Sequence, residues 1–110
     1  MEIFRDLNKL GYKHYLDYTI EELDSLDIKS KEFSIESNLV FDWFRDVMLL
    51  DNFIIPYWFI DGEYKVKKYT YSIEPSNRFD EYFDCDSDQY DTYEEARLEC
   101  LKRLIELCEM

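Results

Sequence analysis

Few residues of this chain could carry out covalent or acid–base chemistry. His14 is the only histidine, and it lies in a tyrosine-rich segment without the glycine loop that would accompany a serine or cysteine nucleophile. The cysteines, Cys85, Cys100 and Cys108, form no CxxC pair, and one histidine cannot complete a zinc site with them. Two glycines in all cannot form a phosphate-binding loop. We therefore expect no catalytic residue, no metal and no cofactor, and we expect that the protein is not an enzyme.

One acidic stretch has the ligand spacing of a calcium-binding loop. Asp84, Asp86 and Asp88 alternate along the chain, and Glu95 stands at the twelfth position of the pattern. An EF-hand loop needs glycine at its sixth position for a sharp turn, whereas this chain has Gln89 there. We expect a solvated acidic turn, and a weak calcium site is an open alternative.

The charge balance restricts the possible partners. Asp and Glu number 26 against 13 Lys and Arg, so the net charge is −13 and the isoelectric point is near 4.3. Nucleic acids and anionic membranes are bound mainly through Lys and Arg, so we expect no direct contact with either. Residues 74–95 contain nine acidic residues and one basic residue, which predicts a basic protein as the partner.

The acidic stretch suggests how such a partner would be bound. Closely spaced carboxylates on a folded surface can imitate the phosphates of a nucleic acid, whose charges recur about every 1.7 Å along a duplex. Tyrosines between the acids would add rigid contact area. The residues that we expect to bind the partner are Asp80, Glu81, Asp84, Asp86, Asp88, Tyr90 and Asp91.

The helices that must position this stretch are indicated by apolar spacing and by caps. Residues 2–10 have apolar side chains at helical spacing and precede Gly11, so they predict a first helix. The capping box Thr19–Glu22 predicts a short helix that ends at about Leu26. Ser34 is expected to cap a longer helix that carries a wide apolar stripe.

The second half of the chain contains a hairpin signal. Two apolar runs, 53–60 and 63–73, flank the turn dipeptide Asp61–Gly62. Pro56 cannot donate a ladder hydrogen bond, which places its strand at an edge or at a bulge. The alternation of the second run slips by one residue, which predicts a β-bulge near Lys67–Lys68.

The order of these elements predicts an α+β fold. We expect N-terminal helices, a three-stranded antiparallel β-meander whose third strand lies near 79–85, and a C-terminal helix packed on the sheet. A second capping box at Thr92 opens that helix. We expect one domain over 1–110, with a helical N-terminal extension over 1–35 and an α-β-β-β-α core over 36–110.

A helix containing FDWFR (Phe41–Arg45), an aromatic meander and a closing helix TYEEARLECLKRLIEL (Thr92–Leu107) succeed one another in the chain. In these features it resembles small accessory proteins of phages and prophages in Bacteroides-type gut bacteria. The resemblance implies a phage origin and carries no activity with it. In size, charge and lack of chemistry the chain is also similar to phage inhibitors of the anti-CRISPR type, although it matches no motif of theirs.

These expectations favour a non-enzymatic, acidic inhibitor that blocks a basic nucleic-acid-handling host protein, with a CRISPR–Cas nuclease as one candidate target. Two alternatives stay open. One is an immunity or antitoxin protein for a basic nuclease toxin, and the other is an oligomerising structural or assembly protein that associates through its aromatic hairpin. We expect it in the host cytoplasm, because the longest apolar run, Phe53–Ile60, is shorter than the roughly 20 residues of a membrane helix.

Overall fold

A computed structural model describes residues 2–75, 84–85 and 88–109 of the chain. These residues form an α+β fold in which helices precede and follow an antiparallel pair of long strands. The helices are α1 (Ile3–Leu10), α2 (Ile20–Asp24), α3 (Lys31–Asp46) and α4 (Tyr93–Glu109). The strands are β1 (Leu50–Asp61), β2 (Tyr64–Pro75) and β3 (Asp84–Cys85).

The first two helices lie where caps predicted them. α1 ends at Gly11, whose φ of 107° is in the left-handed region, and the Gly11 N–H donates to the carbonyl oxygen of Asn8 at 3.1 Å. The capping box of α2 is complete, because the Thr19 hydroxyl accepts from the Glu22 N–H and the Glu22 carboxylate accepts from the Thr19 N–H, both at 3.1 Å. α2 ends at Asp24, slightly earlier than predicted.

The predicted start of α3 at Ser34 is wrong. The helix begins one turn earlier, where the Ser30 hydroxyl accepts from the Phe33 N–H at 3.1 Å. Phe33 is buried, so packing favours the additional turn. Ser34 lies within the helix, and its hydroxyl accepts from Arg97.

β1 and β2 form an uninterrupted hairpin of twelve consecutive residue pairs that ends at Asp61 opposite Tyr64. The two-residue turn is therefore Gly62–Glu63, one residue later than the predicted Asp61–Gly62. Gly62 has φ of 63°, which suits the first position of a tight hairpin turn. The hairpin itself is confirmed.

The predicted bulge near Lys67–Lys68 is wrong, because the pairing continues through it without an extra residue. Val66 and Tyr69 therefore face opposite sides of the sheet. The prediction assumed that one face of the strand is buried along its whole length. Helices cover only the base of the hairpin, and Tyr64 near the turn is 74% exposed.

Pro56 lies on an edge strand, as predicted, since β1 is at one side of the sheet order β1-β2-β3. Tyr69, the partner of Pro56, exchanges two backbone hydrogen bonds of 2.9 Å with Tyr90 on the far side of β2. The backbone groups of Tyr69 thus point away from β1, and the Pro56–Tyr69 pair has no ladder hydrogen bond. The missing N–H of Pro56 faces the outer edge, so no hydrogen bond of the hairpin is lost.

The structure describes only a short part of the predicted third strand. β3 has two residues, in which Asp84 pairs with Ile73 and Cys85 pairs with Ser72. Most of the predicted strand near 79–85 lies outside the described residues, so the full meander stays a prediction.

The core lies between the helices and one face of the hairpin base. α4 packs on both long strands, which confirms the predicted position of the last helix. α1 belongs to the same core, and α3 runs across the boundary predicted between 35 and 36. Fully buried side chains at the centre of the core are Leu7, Leu23, Val40, Phe44, Ile73, Leu101, Leu104 and Ile105.

Candidate functional site

The thiols that the structure describes are poor nucleophiles. Cys100 is completely buried in the core, and Cys108 is a free thiol. Burial, followed by the charge of Glu109, raises the pKa of the Cys108 thiol, so this thiol stays protonated, whereas a reactive cysteine needs the thiolate. Within the described part of the chain, no group of three His, Cys, Asp or Glu side chains could hold a metal ion.

The acidic segment is defined as residues 80–91, and its described parts are paired with β2 on the side opposite β1. The backbone of Asp84 is paired with Ile73, and the backbone of Tyr90 is paired with Tyr69. Of the predicted partner-binding residues, the described part of the chain does not include Asp80, Glu81 or Asp86. Residues 84–85 and Tyr90 therefore lie along the edge of the sheet.

The described side chains of the acidic segment differ in exposure. Asp88 is exposed. Asp91 is exposed too, but its carboxylate forms an ion pair with Lys68 on β2. Tyr90 is partly buried against the core, so its ring contributes to packing. The carboxylates of Asp88 and Asp91 are thus more accessible to a partner than the ring of Tyr90.

The start of α4 continues the acidic surface. The Thr92 hydroxyl accepts from the Glu95 N–H at 3.2 Å, which confirms Thr92 as the helix cap. Glu95 is exposed in the first turn, where its charge is favourable for the helix dipole. Among the acids of the calcium pattern, Asp86 lies outside the described residues, so weak calcium binding stays an open alternative.

A second candidate surface lies at the hairpin tip, which we define as Trp58, Ile60, Lys65 and Lys67. Trp58 pairs directly with Lys67, and Ile60 pairs with Lys65. The Lys67 ammonium lies 5.8 Å from the centre of the Trp58 ring, within cation–π range. Trp58 is 63% exposed and Ile60 is 76% exposed. These four side chains lie on the same face of the sheet that the helices bury at the base of the hairpin. At the tip, this face extends beyond the helices.

Sequence reasoning missed a buried carboxylate. Glu36 is fully buried and accepts from the Tyr12 hydroxyl at 2.5 Å and from the N–H groups of Tyr15 and Leu16 at 2.6 and 2.5 Å. The segment between α1 and α2 is thereby attached to α3. The sequence offers no local sign of this role, because the three donors are 20 to 24 residues away from Glu36.

We predict that stability falls at alkaline pH partly through Tyr12. Burial, followed by the hydrogen bond to Glu36 and its charge, raises the pKa of Tyr12 above its ordinary value of about 10. The stabilisation is therefore complete below pH ~10 and is lost as the pH rises toward the folded-state pKa, with a slope of up to about 1.4 kcal/mol per pH unit.

Urea unfolding between about pH 8 and 11 checks this prediction against the Tyr12→Phe variant. The wild type should lose more stability than the variant over this range, because phenylalanine has no proton to release. Parallel pH profiles for the two proteins would contradict the prediction.

A buried arginine is a second polar group that sequence reasoning missed. Arg97 on α4 is 2% exposed and donates to the carbonyl oxygen of Ile28 at 2.8 Å and to the Ser34 hydroxyl at 3.1 Å. Its guanidinium also lies over the rings of Phe33 and Tyr93. Burial lowers the pKa of Arg97, and among the described residues the Nε atom has no hydrogen-bond partner. These contacts join α4 to the start of α3.

Comparisons of the chain with protein-family models, curated proteins and solved structures found no match. The resemblance to phage accessory proteins therefore stays a prediction. None of the helices in the described residues has the length and apolar character needed to cross a membrane.

Proposed function

We propose that the protein is a non-enzymatic binding module whose acidic segment engages a basic protein. In its specific form, the proposal is an inhibitor of phage origin that acts in the host cytoplasm. It would block a nucleic-acid-handling host protein, with a CRISPR–Cas nuclease as one candidate. A complete three-stranded meander would carry the segment.

The observation that supports the proposal best is the pairing of the described parts of the acidic segment with the sheet. The backbone of β3 and that of Tyr90 are both paired with β2, so these two parts of the segment have defined backbone positions. A preorganised array of charges loses less entropy on binding than a flexible acidic tail. The net charge of −13 adds long-range attraction for a basic partner.

The chemistry of binding would be charge-assisted hydrogen bonding. Each carboxylate would accept from an Arg or Lys that otherwise holds a phosphate. Asp88 and Asp91 are both exposed, and Asp91 would have to exchange Lys68 for the partner's cation.

A charge reversal tests this proposal. The triple variant Glu81→Lys, Asp86→Lys and Asp88→Lys should weaken binding on the order of a hundredfold and flatten its salt dependence. The partner would first be captured from a nuclease-treated host lysate, and the affinity of the purified pair would be measured across a salt series.

The matched control makes the same change of charge elsewhere. Asp17, Asp46 and Glu109 are exposed outside the acidic segment, and their triple reversal to lysine changes the net charge equally. If both triple variants weakened binding of the partner equally, the effect would come from net charge alone and not from the acidic segment. Unchanged affinity of the segment variant, or failure to capture a stoichiometric nucleic-acid-binding partner, would contradict the proposal.

Two other functions are compatible with parts of the structure. An immunity protein for a basic nuclease toxin would use the same acidic segment, and the identity of the captured partner would distinguish it from an inhibitor. An oligomerising assembly protein is favoured by a different observation, the exposure of Trp58 and Ile60 at the hairpin tip.

A further inference from the structure

A lysine of β2 is paired with a carboxylate of the acidic segment. Tyr69 and Tyr90 exchange two backbone hydrogen bonds of 2.9 Å, and their chains run antiparallel. The residue before Tyr69 therefore lies opposite the residue after Tyr90, at a position where opposed side chains approach closely. These residues are Lys68 and Asp91, and the Lys68 ammonium forms an ion pair with the Asp91 carboxylate. The backbone pairing thus determines which carboxylate Lys68 contacts.

The two partners of this ion pair differ in exposure. The Lys68 side chain is 22% exposed, whereas the Asp91 side chain is 71% exposed. Lys68 lies on the face of the sheet that points away from the core, because its neighbour Tyr69 faces the same side as the buried Tyr71. The lysine stem is therefore restrained against the sheet, while a cation from solution can reach Asp91.

Lys68 gives Asp91 the contact that a basic partner would give it. Under the proposed function, on which this inference rests, a partner's Lys or Arg donates to carboxylates of the acidic segment. Asp91 is one of those carboxylates, and it already accepts from an ammonium of its own chain. An internal ammonium competes at an effective concentration of about 1 mM or more, because it cannot diffuse away. A partner's cation must therefore displace Lys68 to gain the full contact with Asp91.

The need to displace Lys68 lowers the affinity for a partner without changing any other contact. The apparent affinity for a site falls by the fraction of molecules in which the site is open. For an exposed ion pair, this reduction is about two- to fivefold. A partner with several cations offsets the reduction through its other contacts, whereas an isolated cation does not. The ion pair therefore acts most strongly against isolated cations.

We propose that Lys68 is an internal competitor for the acidic segment. It occupies Asp91 in the free protein and is displaced when a basic partner binds. The contact is autoinhibitory and acts only through the Asp91 carboxylate. It lowers the affinity for every basic partner and favours those that present several cations together.

Calorimetric titration of the full chain with a hexa-arginine peptide at low ionic strength tests the competition. Lys68→Gln should lower the Kd about two- to fivefold, because Asp91 is then open to the peptide. The matched control, Lys102→Gln, makes the same change of net charge and breaks the ion pair with Glu99 on α4, and it should change the Kd less. An unchanged or raised Kd for Lys68→Gln, or an equal decrease in the control, would overturn the proposal.

A double-mutant cycle with Asp91→Asn shows whether Lys68 acts through this carboxylate. In the Asp91→Asn background, Lys68→Gln should change the Kd no more than the control does, because no ion pair is left to break. Equal gains in both backgrounds would assign the effect to the field of the lysine charge and would overturn the competition. The amides of Tyr69 and Tyr90 should stay protected against hydrogen exchange in Lys68→Gln. Loss of this protection would make Lys68 a structural contact and would also overturn the proposal.

The triple variant of the acidic segment separates this inference from the proposed function. It should lose most of its affinity for the peptide. If the triple variant binds the peptide like the wild type, the proposed function fails and the inference fails with it. If the triple variant loses the peptide, but Lys68→Gln binds it no more tightly than the wild type does, only the inference fails.

Discussion

Replacing Glu36 with alanine is expected to lower the free energy of unfolding by about 3–5 kcal/mol. The buried carboxylate accepts from Tyr12, Tyr15 and Leu16, and alanine leaves these donors in the interior without a partner. Each unsatisfied buried donor costs about 1–3 kcal/mol, and local rearrangement recovers part of the sum. All three donors belong to the segment between α1 and α2, so this segment should detach from α3.

Urea unfolding and amide hydrogen exchange check the prediction. The control Asp42→Ala lies on the same helix and breaks an exposed ion pair with Arg45, so it should cost less than about 1 kcal/mol. Glu36→Gln keeps one carbonyl acceptor, so its loss of stability should lie between those of Glu36→Ala and Asp42→Ala. In Glu36→Ala, the amides of Tyr15 and Leu16 should lose their protection against hydrogen exchange. A loss of stability no larger than that of Asp42→Ala would contradict the stabilising role of the Glu36 carboxylate.

Replacing Arg97 with alanine is expected to lower the free energy of unfolding by about 2–4 kcal/mol. The substitution removes the hydrogen bonds to Ile28 and Ser34, and it removes a side chain whose guanidinium lies 5.2 Å from the Phe33 ring centre and 5.5 Å from that of Tyr93. The contact between α4 and the start of α3 would then be poorly packed.

A methionine at the same position separates packing from hydrogen bonding. Arg97→Met keeps the apolar volume and removes a buried charge whose Nε atom lacks a hydrogen-bond partner in the described part of the chain, so it should cost about 1–2 kcal/mol, less than alanine. Arg103→Ala on the same helix removes a surface ion pair with Glu106 and should cost less than about 1 kcal/mol. Equal losses for Arg97→Met and Arg97→Ala would contradict the packing contribution.

Features with short-range causes could be predicted from the sequence. Gly11 ends α1 because few other residues tolerate its backbone conformation. Thr19 and Glu22 cap α2 through bonds that span three residues. The hairpin follows from two apolar runs and a glycine turn, although its turn lies one residue later than predicted. In each case the determining contacts lie within a few residues of one another.

Features with long-range causes were decided only by the tertiary structure. Ser30 and Ser34 are both good caps, and the choice depends on the burial of Phe33 and on Arg97, which lies 63 residues from Ser34 in the chain. Lys68 neutralises part of the acidic segment by pairing with Asp91, 23 residues away. Apolar alternation shows that a strand has a buried face, but it does not show how far along the strand helices cover that face. The covered length depends on how the whole chain packs. That packing leaves Trp58 and Ile60 exposed.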